Sequence, residues 1–342
     1  MRTSALQYLA CPQCGGTLVA DTGPPSHDGH IMHGTLVSSC GARFPIRDGI
    51  PRLVLPRSSQ VPDAGSLITA ARFAAEWTIF DYRASYYEQQ FLDWIAPLVP
   101  RDFTDRVVFE GGCGKGRHTA LIARYGAKAV VALDLGDAVN VAFAATRHLA
   151  NVHIAQGDLV QPPVARAFDI GFSIGVLHHL SEPQAGFRSL YDRVRTGGRV
   201  AIWVYGYESN EWIVRFVDPI RDSITSRMPE RLLYWCSLPP AAALHTALRL
   251  YRVPAMADRL PYGTYLEYIS RFPFREVHHI VFDQLVTPVA HYLRREEVER
   301  WFATPDLDEV TLAWHNCNSW RGSATVCSHA DAGARDRREA ST

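Results

Sequence analysis

The sequence predicts an α/β protein: a parallel sheet with crossover helices, a small module ahead of it and a further helical stretch behind it. Three observations predict this. Residues 106–206 alternate short apolar runs with runs of helical spacing, which is how the strands and crossover helices of a parallel sheet read. The loop "GGCGKG" (Gly111–Gly116) joins the first such strand to the first such helix. Residues 1–56 break the pattern, being rich in Cys, Gly, Pro and His and poor in helical periodicity.

Bulk properties set the outer bounds. A chain of 342 residues, 47% of them hydrophobic, can bury a sizeable core and has the length of about two domains. Its 35 Lys and Arg balance 35 Asp and Glu, so there is no overall basic excess of the kind nucleic-acid binders show. The seven cysteines are odd in number, and "MRTSALQYLA" carries no secretory pattern. Both features lead us to expect a reducing cytoplasm. No apolar run approaches the roughly 20 residues of a membrane span.

The elements follow in order. After the module at 1–56, residues 57–66 read as a linker, from the Pro, Ser and Gly of "PRSSQVPDAGS" (Pro56–Ser66). Residues 67–105 read as a helical, aromatic cover. In the core at 106–206, "RVVFE" is a buried strand and "GRHTALIARYG" a helix closed by Gly126. "AKAVVALDLGDAV" holds the second strand, ending at Asp134, with Asp137 placed to cap the next helix. "NVHIAQGDLV" leads from a third strand to Asp158 and Leu159. Phe168–Ile174 is a fourth strand, followed by His178, His179 and a helix that Ser181 and Gln184 would open as a capping box. "RTGG" ends that helix, and "RVAIWVYG" is the fifth strand. Residues 207–290 lose the alternation and form an insertion rich in Arg, aromatic residues and Pro. Residues 291–327 hold the helix "REEVERWFA" and two strands, "EVTLAWHN" and "SATVCS". The small, charged stretch 328–342 reads as a disordered tail.

The glycine loop is not a triphosphate loop. Lys115 is followed by Gly116 rather than Ser or Thr, and Glu110 stands where the first glycine is needed. It is a poor dinucleotide fingerprint as well, since Arg117 occupies the position that Gly or Ala should hold for close helix packing. A carboxylate at Glu110 repels a pyrophosphate but suits a ligand bearing an ammonium group. The glycines admit the ligand close to the backbone.

These residues resemble the first motif of class I S-adenosylmethionine (SAM)-dependent methyltransferases. Asp134, the Asp158-Leu159 pair and the block from Phe168 to Gly206 follow it in the order and spacing of that family. The resemblance implies a Rossmann-like sheet, parallel with a terminal antiparallel strand pair. It implies SAM as cofactor, held by Glu110, Gly111, Gly112, Gly114, Arg117, Asp134, Leu135, Asp158, Leu159 and Ser173. Asp134 would take the ribose hydroxyls, Asp158 the adenine amino group, and the Leu159 backbone N–H a ring nitrogen. His178 and His179 are the candidate general bases, and Tyr86, Tyr87, His279 and Asp283 are further candidates in the covering segments.

The module at 1–56 carries Cys11 and Cys14 as Cys-x-x-Cys, then Cys40 and "FPIRDGIP". It resembles the zinc-ribbon-like domain of the tRNA-methyltransferase-activator family. That implies a structural zinc on Cys11, Cys14 and Cys40, but Val37 stands where the fourth cysteine belongs. His33 or His30 is a possible replacement; otherwise the site has decayed. The balanced charge and hydrophobic insertion lead us to expect a small organic acceptor under a lid, as in natural-product biosynthesis, with no nucleic-acid partner. The alternative is an RNA methyltransferase that uses the N-terminal module.

Overall fold

A computed structural model describes residues 1–55, 64–80, 86–166, 168–252 and 262–327. The linker up to residue 63 and the tail at 328–342 lie outside them.

Four short antiparallel strands open the chain: β1 (Leu18–Thr22), β2 (Gly34–Ser38), β3 (Arg43–Arg47) and β4 (Ile50–Pro51), in that order across the sheet. Helices α1 (Ala64–Ile79) and α2 (Tyr86–Ile95) follow. The core then runs β5 (Val107–Gly111), α3 (Arg117–Arg124), β6 (Ala129–Asp134), α4 (Ala138–Thr146), β7 (Val152–Gln156), β8 (Phe168–Ile174), α5 (Pro183–Tyr191) and β9 (Val194–Tyr205). Helices α6 (Asp218–Ser223), α7 (Glu230–Ala247), α8 (Gly263–Ser270) and α9 (Phe274–Val286) make up the insertion. Helix α10 (Arg295–Phe302) and the hairpin β10 (Leu307–His315) and β11 (Ser319–Val326) close the described chain.

The seven-stranded sheet has the order β10-β11-β9-β8-β5-β6-β7. Strands β9 to β7 run parallel; β11 pairs antiparallel to β9, and β10 antiparallel to β11. The strands are apolar on both faces because both faces are covered. Val108, Val130 and Ala132 pack into one layer, while Phe109, Val131 and Leu133 pack into the other. Each fully buried side chain of this kind contributes about 1.5–3 kcal/mol. The chain order reverses on either side of β5, which pairs with both β6 and β8. Loops leaving β5 and β8 therefore diverge and open a crevice at the carboxyl ends of the strands.

Local departures from the sequence reading have simple causes. Asp137 lies at the start of α4 at φ −71° and ψ −1°, a helical conformation that does not aim its side chain at the first N–H groups. Its carboxylate instead pairs with Arg52 at 3.8 Å. Helix α5 begins one residue later than expected, at Pro183, with Glu182 rather than Ser181 at the cap position. Gly197 and Gly198 belong to β9, where the ladder with β8 shifts register. Gly126 does close α3, at φ 83°.

The N-terminal module docks on the β7 edge. The Leu53 N–H donates to the Gln156 carbonyl at 2.8 Å, and the Ala10 N–H to the Pro163 carbonyl at 2.9 Å. Its Leu36, Phe44 and Ile46 share one apolar cluster with Phe109, Val131 and Phe168 of the large sheet. On the other side of the molecule, Leu233 of α7 and Phe282 and Val286 of α9 pack on Phe80. That contact sets the insertion over the crevice. Among the described residues no helix is long and apolar enough to cross a membrane.

Candidate active site

The crevice is a cavity of about 840 Å³. Its floor is the loop after β5, its sides are the ends of β6, β8 and β9, and its roof is α1, α8 and α9. Gly112, Gly114, Arg117, Asp134, Leu135, Asp158 and Leu159 all line it. Glu110, Gly111 and Ser173 do not. Glu110 is 1% exposed and its carboxylate accepts a hydrogen bond from the Thr119 hydroxyl. Burial raises its pKa to about 8. β5 turns the Glu110 side chain under α3, where it meets Thr119 rather than the cavity lining. Ser173 donates to the Gly111 carbonyl at 2.8 Å and ties β8 to β5 beneath the loop.

The loop needs its glycines. Gly112, Gly114 and Gly116 have φ of 82°, 50° and 74°. A Cβ on Gly112 would collide with the Val176 side chain, and one on Gly114 would crowd the Trp77 indole nitrogen at 2.9 Å. Asp134 braces the turn by accepting the Gly114 N–H on Oδ2 and the Gly136 N–H on Oδ1, both at 2.9 Å. Asp158 caps its own loop by accepting the Val160 N–H at 2.8 Å. A backbone trough flanked by two carboxylates fits a nucleoside with a cationic amino-acid chain, which is the shape and charge of SAM.

The two histidines part company. His178 has no exposed surface, does not reach the cavity, and lies 4.0 Å from the Tyr205 ring, centroid to centroid. His179 lines the cavity. Its Nδ1 lies 2.6 Å from the Val289 carbonyl, so Nδ1 carries the proton and Nε2 the lone pair. Burial lowers the pKa of His179 to about 4.

A cluster of polar groups that sequence reading only partly names faces the far side. His279 Nε2 lies 2.8 Å from Glu76 Oε1, and Glu76 shares a hydrogen bond with Asp283. Tyr205 donates to Asp283 at 3.1 Å, Gln284 donates to Tyr205 at 3.1 Å, and Tyr292 donates to Gln284 at 3.0 Å. Tyr87 donates to Glu276 at 2.7 Å. The Lys115 ammonium donates to the Phe80 carbonyl at 2.8 Å and sits 5.0 Å from the centre of the Trp77 ring. Glu76, Tyr205 and Trp77 escape sequence reading. A charged residue inside the apolar face of α1 is the one signal for Glu76. Of the other candidates, Tyr87, His279 and Asp283 line the cavity, while the side chain of Tyr86 lies outside the description.

In the N-terminal module the sulfur atoms of Cys11, Cys14 and Cys40 all lie within 4.8 Å of one another. Cys11 Sγ and Cys40 Sγ are 3.8 Å apart, the edge of a tetrahedron with metal–sulfur bonds of ~2.3 Å. Three soft donors at this spacing fit a zinc ion. The expected histidines are elsewhere. His33 is exposed and precedes β2, whereas the cluster lies beyond that strand's other end. His30 packs on Phe143 with its Nε2 3.0 Å from the Arg147 carbonyl.

Comparison with known proteins agrees with this geometry. Residues 109–202 match the family described as "Methyltransferase domain", and residues 5–49 match "Trm112p-like protein". Among curated proteins, the chain is 29% identical over 160 residues to a tRNA U34 carboxymethyltransferase of Shewanella pealeana, covering 41% of this chain and 47% of that protein. It is 31% identical over 140 residues to the protein of that name from Psychromonas ingrahamii, covering 39% and 41%. The chain thus spans less than half the length of these relatives. One solved structure is a complex of the Haloferax volcanii Trm112 methyltransferase activator with a methyltransferase partner (13% identity, TM-score 0.45, 75% of this chain and 95% of that one). Another is a SAM-dependent methyltransferase from Mesorhizobium loti (22% identity, TM-score 0.31, 36% and 54%). Neither likeness carries weight at these scores.

The curated relatives overturn the expectation of a small-molecule acceptor with no nucleic-acid partner, because the proteins that match about two fifths of the chain are named for tRNA. That expectation leaned on a net charge summed over the whole chain, which hides how charge is distributed over the surface. The site's glycine loop and its flanking carboxylates agree with both matches: residues 109–202 form a SAM-dependent methyltransferase domain, and residues 5–49 a Trm112p-like domain.

Proposed function

We propose that this enzyme transfers the methyl group of SAM to a base of RNA, with tRNA as the first candidate and S-adenosylhomocysteine as the leaving product. What carries the reading is the sequence match of about two fifths of the chain to proteins named as tRNA U34 carboxymethyltransferases. Two structural features support it. The cavity continues from the glycine loop into a chamber walled by Trp77, Tyr205, Tyr265, Tyr268 and Trp212, the kind of lining on which an extruded base can stack. The insertion above it exposes Arg227, Arg231, Arg249, Arg252, Arg271 and Arg275, which offer phosphate contacts despite the neutral total.

In this reading Gly112 and Gly114 lie under the methionine chain, Asp134 accepts the ribose hydroxyls, and Asp158 with the Leu159 N–H holds the adenine. Bound SAM supplies a carbon on a sulfonium, a leaving group that needs no further activation. The protein aligns the acceptor and excludes water. Of the two loop histidines, His179 is the one whose Nε2 lone pair can take a proton from the acceptor.

The test is to incubate the enzyme with SAM labelled in its methyl group and unfractionated bacterial tRNA, then digest the RNA and separate the nucleosides. Label in one modified nucleoside is the expected result. Salt-sensitive binding should accompany it, since each phosphate contact releases counterions. Tight SAM binding with no label in RNA would remove RNA as the acceptor while leaving the donor site intact.

A further inference from the structure

The metal cluster lacks a fourth cysteine, and Val37 offers no donor atom. Its neighbour does. Side chains alternate along a strand, and in β2 the buried positions are Leu36 and Ser38, with Val37 on the opposite face. Ser38 is 5% exposed. Its Oγ lies 3.4 Å from Cys14 Sγ and 3.4 Å from Cys40 Sγ. A tight turn holds it there: the Gly41 N–H donates to the Ser38 carbonyl at 2.9 Å, and the Cys40 N–H reaches Ser38 Oγ at 3.4 Å.

These lengths match a coordination polyhedron. A tetrahedral zinc with sulfur ligands at ~2.3 Å and one oxygen at ~2.0 Å has S···S edges of ~3.8 Å and S···O edges of ~3.5 Å. The observed values are 3.8 Å for Cys11–Cys40 and 3.4 Å for both Ser38 contacts. We propose that Ser38 is the fourth donor, which makes the module a metal site of three cysteines and one serine rather than a decayed one. Its second knuckle is then Ser-x-Cys, Ser38 and Cys40, in place of the expected pair of cysteines. A hydroxyl is a harder and weaker ligand for zinc than a thiolate, so the ion exchanges more readily than in a four-cysteine site.

The experiment uses the full chain, stripped of metal and titrated with cobalt(II) alone, followed by displacement with zinc. The wild type is expected to take up one ion with the visible absorption of a tetrahedral thiolate complex. Ser38→Cys should keep that stoichiometry, strengthen the sulfur-to-cobalt absorption and tighten zinc binding by roughly tenfold or more. Ser38→Ala should weaken zinc by a similar factor and change the spectrum, with circular dichroism confirming that it folds. A wild type that takes up no cobalt overturns the metal site itself. A Ser38→Ala protein with unchanged spectrum and zinc affinity, or a Ser38→Cys protein with no added sulfur absorption, overturns the part given to Ser38 alone.

Discussion

Asp134 shows how one side chain joins backbone to ligand. Its two oxygens each accept one loop N–H, from Gly114 and Gly136, and a carboxylate has lone pairs to spare for further donors. The residue thus braces the glycine turn and still faces the cavity. Asp134→Ala should weaken SAM binding by roughly tenfold or more, the scale of one or two charge-assisted hydrogen bonds. Isothermal calorimetry with SAM measures this, and an unchanged affinity would show that the ribose is held elsewhere. Asp134 was legible in sequence because its strand, loop and spacing are all local. Glu110 was legible as an acid but not as a buried one. Which way a strand-end side chain turns depends on the helix packed over it, and here Thr119 on α3 captures it.

At the level of elements, α1 and α9 meet over the cavity and bring Glu76, His279 and Asp283 together. Lys115, Tyr205, Tyr265, Tyr292, Glu276 and Arg117 face the same cluster from neighbouring elements. Burial raises Glu76 to about 8 and Asp283 to about 7, and mutual repulsion adds to the shift of Asp283. Glu110 is raised in the same sense. The folded state thus keeps protons that these acids release in the unfolded chain above about pH 5. By linkage, each makes folding less favourable as pH rises toward 8. His279 and His179, lowered by burial to about 4, act oppositely, but only up to their ordinary value of 6.5. Between pH 6.5 and about 8 these acids work against the buried Met1 amine, lowered to about 5, and their own contribution to stability in denaturant unfolding should fall. Asp283→Asn should flatten that slope; a slope equal to wild type would mean the pair does not titrate there. The sequence marked residues 67–105 as a helical cover and 207–290 as a helical insertion. It did not show that the two helices touch, because the partners stand 203 residues apart.

Across the whole molecule, the N-terminal module is not an appendage. Its apolar residues and those of the large sheet form one cluster. Arg52 donates to Gln156 at 3.1 Å and to Asn140 at 2.6 Å, and Gln156 in turn donates to the Leu135 carbonyl at 2.9 Å, on the cavity wall. A shared core should melt as a unit, so calorimetry of the full chain should give one cooperative transition spanning both parts. A separate, earlier transition for residues 1–55 would contradict this. The same packing supports a second expectation: Arg52→Ala should lower stability by about 1 kcal/mol in denaturant unfolding, because it removes the part-buried hydrogen bond to Gln156, while water replaces the exposed one to Asn140.

By itself the sequence determined the α/β class, the methyl donor's loop and the cysteine cluster. The first two rest on residues within one turn or one short repeat of strand and helix, where steric limits and side-chain period act locally, and the third on the Cys-x-x-Cys spacing and a family resemblance. The tertiary structure decided the rest: that Glu110 and His178 lie off the cavity, that Glu76 and Asp283 meet, that Ser38 rather than His33 faces the thiols, and that the module and sheet share a core. Those outcomes depend on which distant surfaces pack together. Packing is set by the summed burial of many side chains, which no local pattern records.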